Sequence, residues 1–355
     1  MSTLVTYPGV YVYETPGSAP LVSAGAPTVP VFPIPISANN QHLFDNATRV
    51  NSWADWVGKK GHQGNYTYIE DYSLKIYFEN GGGPCYVVSL PSLAEQVPQF
   101  DDINLIVSAG QEIASQVNSL CQDGKGLFAI LDGPKTEITS AYDPSLSYTP
   151  NPHVAIYYPW FKASWADELI PVSAAVAAIY CVTDRTRGVW KAPANFSIQG
   201  DVQPQFAVTD DLQGQFNKGL AINMIRVIDG RGPVVWGART LDDSDNWRYI
   251  AVRRLFNSAE RDIKAAMQSM VFEPNNPPTW EKVRSSVANY LHGLWRQGAL
   301  AGTTEAEAYF VEIGEGVTMT ADDIAQGKMI ISVGMAAVRP AEFIVLQFAQ
   351  SVAQG

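Results

Sequence analysis

Long apolar runs are missing from this 355-residue chain. No stretch approaches the roughly 18 apolar residues that a membrane-crossing helix requires, and the opening residues, MSTLVTYPGVYVYE, have no basic segment followed by an apolar one. The expectation is a soluble chain, made in the cytoplasm without a signal peptide and without direct membrane insertion. Positive charge is also scarce: 24 Lys and Arg face 35 Asp and Glu, for a net charge of -11, and the basic residues form no cluster along the sequence. Sequence-independent nucleic-acid binders neutralise phosphates with clustered Lys and Arg, so nucleic acid is not an expected partner.

Chemistry-bearing patterns are equally thin. Cys85, Cys121 and Cys181 are odd in number, far apart and set among apolar residues. This suggests reduced core cysteines and neither a disulfide framework nor a zinc site. His42, His62, His153 and His292 have no companion at metal-ligand spacing. GxSxG, HExxH, GxxxxGK and GxGxxG are all missing, and Gly81-Gly82-Gly83-Pro84 precedes a strand pattern, which makes it a tight turn. Asp242, Asp243 and Asp245 lack the glycine and terminal glutamate of a calcium loop and read as a polar turn. Catalytic, metal and cofactor-binding residues are therefore expected to be none.

What is present is 46% hydrophobic residues and 17% charged, enough to bury a sizeable core in one large or two modest domains. Val10-Tyr11-Val12-Tyr13 alternates between Pro-Gly breakers and reads as a strand with no hairpin partner nearby. Six prolines between residues 15 and 40 follow it and favour extended chain. From 41 to 240 helical and strand patterns alternate: an amphipathic helix over 103–120, then LFAILDGP and HVAIYYPW as buried strands, PVSAAVAAIYCVTD, and INMIRVID turning into VVWGART. Past Asp245 the chain turns helical. Leu255, Ile263, Met267 and Met270 share one face, with Glu273-Pro274 and Pro277-Pro278 ending that helix. Thr279 is the expected N-cap of the next, which Gly298 closes. Capping-box spacings at Thr304/Glu307 and Thr320/Asp323 each lead to a strand, YFVEI and KMIISVG. The terminus, EFIVLQFAQ, is an apolar strand pattern where most chains become polar. The fold class read from this is α/β (α+β), with mixed sheets and helices in two domains.

YPGVYVYE, NGGGPCYVV, HVAIYYPWFK, PVSAAVAAIYCVTDRTRGVWKAPAN, INMIRVIDGRGPVVWGARTL, WRYIAVRRLFN, VFEPNNPPTWEKVR, LWRQGALAGTTEAEAYFV and VGMAAVRPAEFIVLQF together resemble the contractile phage-tail sheath family in order and spacing, over nearly the whole chain. The length resembles the compact sheaths of extracellular contractile injection systems (antifeeding-prophage and virulence-cassette type) and of R-type bacteriocins. The type VI secretion sheath is similar in fold but divided between two chains.

The resemblance implies a structural sheath subunit that polymerises as a helical sleeve around an inner tube and contracts from a metastable extended state to drive the tube through a target envelope. It implies a helical homo-polymer with roughly six copies per ring, together with an inner tube protein and baseplate and terminal cap proteins. The working place would be a released extracellular particle. The implied layout is an N-terminal strand arm at 1–20, an outer α/β domain at 21–245, an inner tube-facing α+β domain at 246–338 and a C-terminal strand arm at 339–355. Free strands are templates for pairing with another chain. Val10, Tyr11, Val12, Tyr13, Phe343, Ile344, Val345, Leu346 and Phe348 are the candidate inter-subunit strands. Twenty extended residues span at most about 66 Å, enough to reach a neighbouring body. Candidate tube contacts are Arg253, Arg254, Arg261, Lys264, Asp322, Asp323 and Lys328. The rival readings are an α/β hydrolase-like enzyme without a recognisable motif and an adhesive surface protein.

Overall fold

The computed structural model describes residues 27–36, 43–61 and 68–343. The candidate strands at Val10 to Tyr13 and Ile344 to Phe348, and His42 and His62, lie outside the described residues. In chain order the first part contains β1 (Pro30–Ile34), β2 (Thr48–Val50), α1 (Trp53–Lys60), α2 (Ile69–Glu79), β3 (Cys85–Ser89), α3 (Leu93–Gln96), β4 (Leu105–Val107), α4 (Ala114–Leu120), β5 (Phe128–Asp132), β6 (Val154–Tyr158), β7 (Phe161–Ala163), α5 (Val172–Arg187), β8 (Val202–Pro204), α6 (Asp210–Gln215), β9 (Ile222–Ile228) and β10 (Gly232–Val235).

Eight of these strands form one sheet in the order β10-β9-β6-β5-β4-β1-β3-β2. The interior pairings are parallel and the outer ones, β10 with β9 and β2 with β3, antiparallel. A parallel sheet buried on both faces is written as continuous apolar runs, and β5 and β6 show why. Phe128, Ile130, Ala155 and Tyr157 pack on one face against α1, α2 and α5, whereas Ala129, Leu131, Val154, Ile156 and Tyr158 face the opposite way, toward α3, α4 and α6. The alternation of side chains across the sheet thus supplies two cores at once.

One local expectation changes here. Residues 103–120 are not one helix: Leu105–Val107 is an interior strand, and the helix begins only at Ala114. Ala109 and Gly110 between them have φ of 48° and 82°, which no α-helix accommodates. The triple-glycine segment is the tight turn expected, with φ of 84° at Gly81. A Cβ on Gly82 would lie 2.4 Å from the Tyr77 ring, so the glycine serves packing.

The rest of the chain builds a third core from α7 (Ile250–Met267), α8 (Pro277–Arg296), α9 (Glu305–Ala308), β11 (Tyr309–Glu312), α10 (Ala321–Ala325) and β12 (Ser332–Met335). Leu255, Met267, Val283, Val287, Leu291 and Leu294 meet Ile313 and Met335 there. The N-cap of α8 is Asn276, which accepts from the Thr279 amide at 3.2 Å, and the prolines at 277 and 278 occupy the first helical positions instead of ending the preceding element. Proline suits that place because the first amides of a helix have no intrahelical acceptor. Both capping boxes form as expected, at Thr304/Glu307 and Thr320/Asp323. The third core is tied to the sheet through α7, where Arg254 chelates Asp184 of α5 at 2.9 and 2.5 Å and Asn257 donates to the Leu127 carbonyl at 2.9 Å.

Candidate assembly surfaces

β11 and β12 form a two-stranded antiparallel sheet, paired Tyr309↔Met335 through Glu312↔Ser332, and no third strand joins it among the described residues. The Ala336 amide bonds the Ala308 carbonyl at 3.1 Å, which sets the parity of the ladder. In an antiparallel ladder inward and outward backbone groups alternate, so Val311 on one strand and Val333 and Met335 on the other turn their amides and carbonyls to the outer edges. A two-stranded ribbon is at best marginal alone. Here its inner face rests on α8 and the third core, with Tyr309, Val311, Ile331 and Val333 packed against that core, while Phe310 and Ile330 remain exposed. Open edges on a supported ribbon are the geometry that accepts an added strand.

The C-terminal segment reaches a different part of the molecule. After β12 the chain runs back to the large sheet, where Glu342 is gripped by Arg239 just beyond β10: Nε to Oε1 at 3.0 Å, Nε to Oε2 at 3.1 Å and Nη2 to Oε2 at 2.7 Å. Asn217 Nδ2 adds a bond to Glu342 at 3.1 Å. Arg239 is itself fixed by the Asn217 carbonyl at 2.6 Å and lies over the Tyr249 ring. A planar guanidinium held on several sides matches a carboxylate in geometry as well as charge. Phe343 follows at once and is 71% exposed. Sequence reasoning missed this clasp because Arg239 and Glu342 are 103 residues apart and each alone looks like a surface charge.

Of the candidate tube contacts, Arg253 and Arg254 are withdrawn. Arg253 is fully buried, bonded to Asn257 at 2.8 Å and Glu260 at 2.9 Å and stacked over Trp247. Arg254, 6% exposed, is held by Asp184 and Thr28 over the Tyr180 ring. They hold α7 in place and offer nothing outward. Arg261 is half-buried, Lys264 exposed, Asp322 exposed, Asp323 engaged in its capping box, and Lys328 lies 3.4 Å from Asp323. Asn275 donates to the Lys328 carbonyl at 2.8 Å, bringing the start of α8 beside that turn.

The places where an α/β enzyme would carry its chemistry are occupied by structural contacts. At the C-terminal end of β5, Asp132 accepts from Ser108 Oγ at 2.6 Å, the Gly110 amide at 2.8 Å, and Ser173 at both its amide and hydroxyl, each 2.8 Å. Burial pushes this carboxyl up while the four hydrogen bonds pull it down, and burial prevails. It ties β4 and β5 to the start of α5. His153 is buried between Asp123 and Asn257, and His292 pairs with Glu305. Cys85, Cys121 and Cys181 are free and buried, and burial pushes the Cys181 thiol up to about 11, away from nucleophilic use. Among the described residues no group of three His, Cys, Asp or Glu is placed to hold a metal, and no helix is long and apolar enough to cross a membrane.

An α/β body bearing a supported ribbon with open edges, with its last described residues strapped to the sheet before a protruding aromatic, defines a class of assembly subunit. Residues 92–241 match the phage tail sheath protein central domain, and 242–351 the phage tail sheath C-terminal domain. The chain is 53% identical to a chain of the PVC sheath complex of an extracellular contractile injection system in the contracted state, covering 99% of both with a TM-score of 0.89. It is 41% identical to a chain of the antifeeding-prophage helical sheath in the contracted state, covering 98% of this chain and all of that one, with a TM-score of 0.80. The tail sheath protein of Enterobacteria phage T4 is 28% identical over 144 residues, 38% of this chain and 21% of that protein, so the chain matches about a fifth of its curated phage relative. The chain belongs to the contractile phage-tail sheath family, and is a sheath subunit of the contractile injection system type. Family membership implies a structural role.

Proposed function

We propose that the subunit polymerises as a sleeve in which the arms of neighbouring copies complete the β11–β12 ribbon. Val10 to Tyr13 of one copy and Ile344 to Phe348 of another add to its two edges, so that each ribbon joins three chains. The observation that carries this is the ribbon itself, whose edges are unpaired among the described residues although its inner face is well supported. Each arm would bring four to six backbone hydrogen bonds at about 1 kcal/mol net apiece and bury apolar side chains at about 1.5 to 3 kcal/mol each. Joints of that strength persist while the rigid bodies reorient, which is what contraction around an inner tube demands. No nucleotide is needed if the energy is stored during assembly.

In this reading the third core faces the tube, with Lys264, Asp322, Asp323 and Lys328 as its contacts, while Arg261 turns into the cavity between α5, α7 and α8. The domain of residues 21–245 lies outside, baseplate and cap proteins close the ends, and the particle assembles in the cytoplasm and acts after release. The role is mechanical and not catalytic. Removal of residues 1–20, or of 344–355 so that the Glu342 clasp is spared, should leave a folded subunit that builds no sheath under electron microscopy. Sheaths that assemble and contract normally after either truncation would defeat the mesh.

A further inference from the structure

A cavity of about 770 Å³ opens between α5, α7 and α8, and five arginines, 49, 185, 187, 254 and 261, but only one acidic residue, Asp184, are among the described residues that line it. That is unexpected in a chain of net charge -11. The single acid is already neutralised, because Arg254 chelates Asp184 and Thr28 also donates to it. Arg49 finds its carboxylate outside the cavity, on Asp102 at 2.8 Å. Among the described residues Arg185 reaches the Gly81 carbonyl at 3.3 Å and no carboxylate. Arg187 and Arg261 have no hydrogen bond or ion pair among the described residues, although Arg261 is half-buried beside Tyr290. Burial lowers the guanidinium pKa of Arg261 and the nearby Arg254 adds to this, while the charges of Asp262 and Asp184 offset only part of it.

A partly desolvated guanidinium with no hydrogen-bonded carboxylate is costly in an isolated chain, and it is retained at little cost if an anion arrives on assembly. We infer that this cavity is an anion receptor between subunits, in which Arg261, with Arg187 and Arg185 at its mouth, takes a carboxylate from an acidic loop of a second copy. The inference rests on the sleeve reading for the presence of that copy. Charge complementarity selects the occupant: every other copy carries 35 acidic residues against 24 basic. The volume falls within the range of ordinary ligand pockets, roughly 300–1,000 Å³, and accommodates a side chain on a short loop better than a lone ion.

Arg261→Gln alone, and Arg187→Gln with Arg261→Gln, in the full chain are the test, read by subunit melting, by the concentration and salt needed for sheath assembly, and by a high-resolution map of the sleeve. Melting of the dispersed subunit should stay nearly level, since Arg261 makes no hydrogen bond among the described residues and its burial opposes the charge. The concentration needed for assembly should rise about tenfold, as expected for loss of one charged hydrogen bond, with a shallower salt dependence. The wild-type map should show a carboxylate of a second copy within hydrogen-bonding distance of Arg261. Unchanged assembly in the variants, or a map with the cavity holding a free anion, the chain's own residues or solvent, overturns the receptor while leaving the sleeve intact. A wild-type chain that forms no sleeve overturns both.

Discussion

Asp132, Arg253 and Arg254 carry charge where a sequence reader looks for function, and the structure uses all three to hold elements together. Replacing Asp132 by Ala would strand the amides of Gly110 and Ser173, at a cost of about 2–3 kcal/mol in urea unfolding of the dispersed subunit. Asn keeps one acceptor and tests the charge separately. The native carboxyl lies above its ordinary value, so between about 3.9 and the raised native value the folded state holds more protons than the unfolded one. Stability from this group is complete below that window and declines as pH rises through it. The wild type should therefore lose stability relative to Asp132→Asn as pH climbs from about 4 through the raised native value, and a flat difference would show that the network offsets burial fully. Arg253 and Arg254 were misread for the opposite reason. Their helix was legible from its periodicity, but Tyr180 and Asp184, which cover Arg254, come from about 70 residues earlier in the chain. Asn257 and Glu260, four and seven residues after Arg253, and Trp247 before it were the local signs of internal partners.

At the scale of elements, the features legible in the sequence were those enforced within a few residues: the two capping boxes, the turn at Gly81 to Gly83 and the buried runs of β5, β6 and β9. The order of strands was not legible, because β1 lies between β3 and β4 through pairings 55 and more residues apart in sequence. Nor was the split of 103–120, where an interior strand and a helix share one apolar composition. The ribbon is legible as two strands, and its open edges appear only when no partner is found for them. Proline at an outward-facing position removes an edge donor without touching the ladder inside. Val333→Pro and Val311→Pro should each leave the β11–β12 pairing and the far-ultraviolet spectrum intact while blocking strand addition at one edge. Sheath formation should fall at least tenfold, and cross-linking should show which terminal arm is lost in each. A variant that keeps both arms would show that its edge is not a docking edge.

For the whole molecule, the proposed sleeve requires the sheet body and the third core to stay rigid while the arms between copies transmit load, and in it the position of the Glu342 clasp sets where that load enters. Six residues lie between Met335 at the end of β12 and Glu342, a seven-step span of at most about 25 Å, and the strap they form crosses from the third core to the sheet. A pull on the C-terminal arm therefore reaches Arg239, beside β10 of the eight-stranded sheet, before it reaches the two-stranded ribbon. Load on the larger hydrogen-bonded unit spares the smaller one. Glu342→Gln leaves Arg239 its bond to the Asn217 carbonyl and removes the charge-assisted grip, worth about 1.5–3 kcal/mol, from a side that bears on no core. Subunit melting should change by less than about 2 °C, since the clasp fixes only the last described residues. Hydrogen exchange at 339–343 should rise, and sleeves of the variant should assemble but break into short segments when contraction is triggered, with breaks counted by electron microscopy. Arg239→Lys, which keeps the charge and loses the two-pronged geometry, should fall between. Variant sleeves that contract intact at the wild-type frequency would mean that the arm's load passes through the ribbon, and that the clasp serves only to guide the chain to its exit.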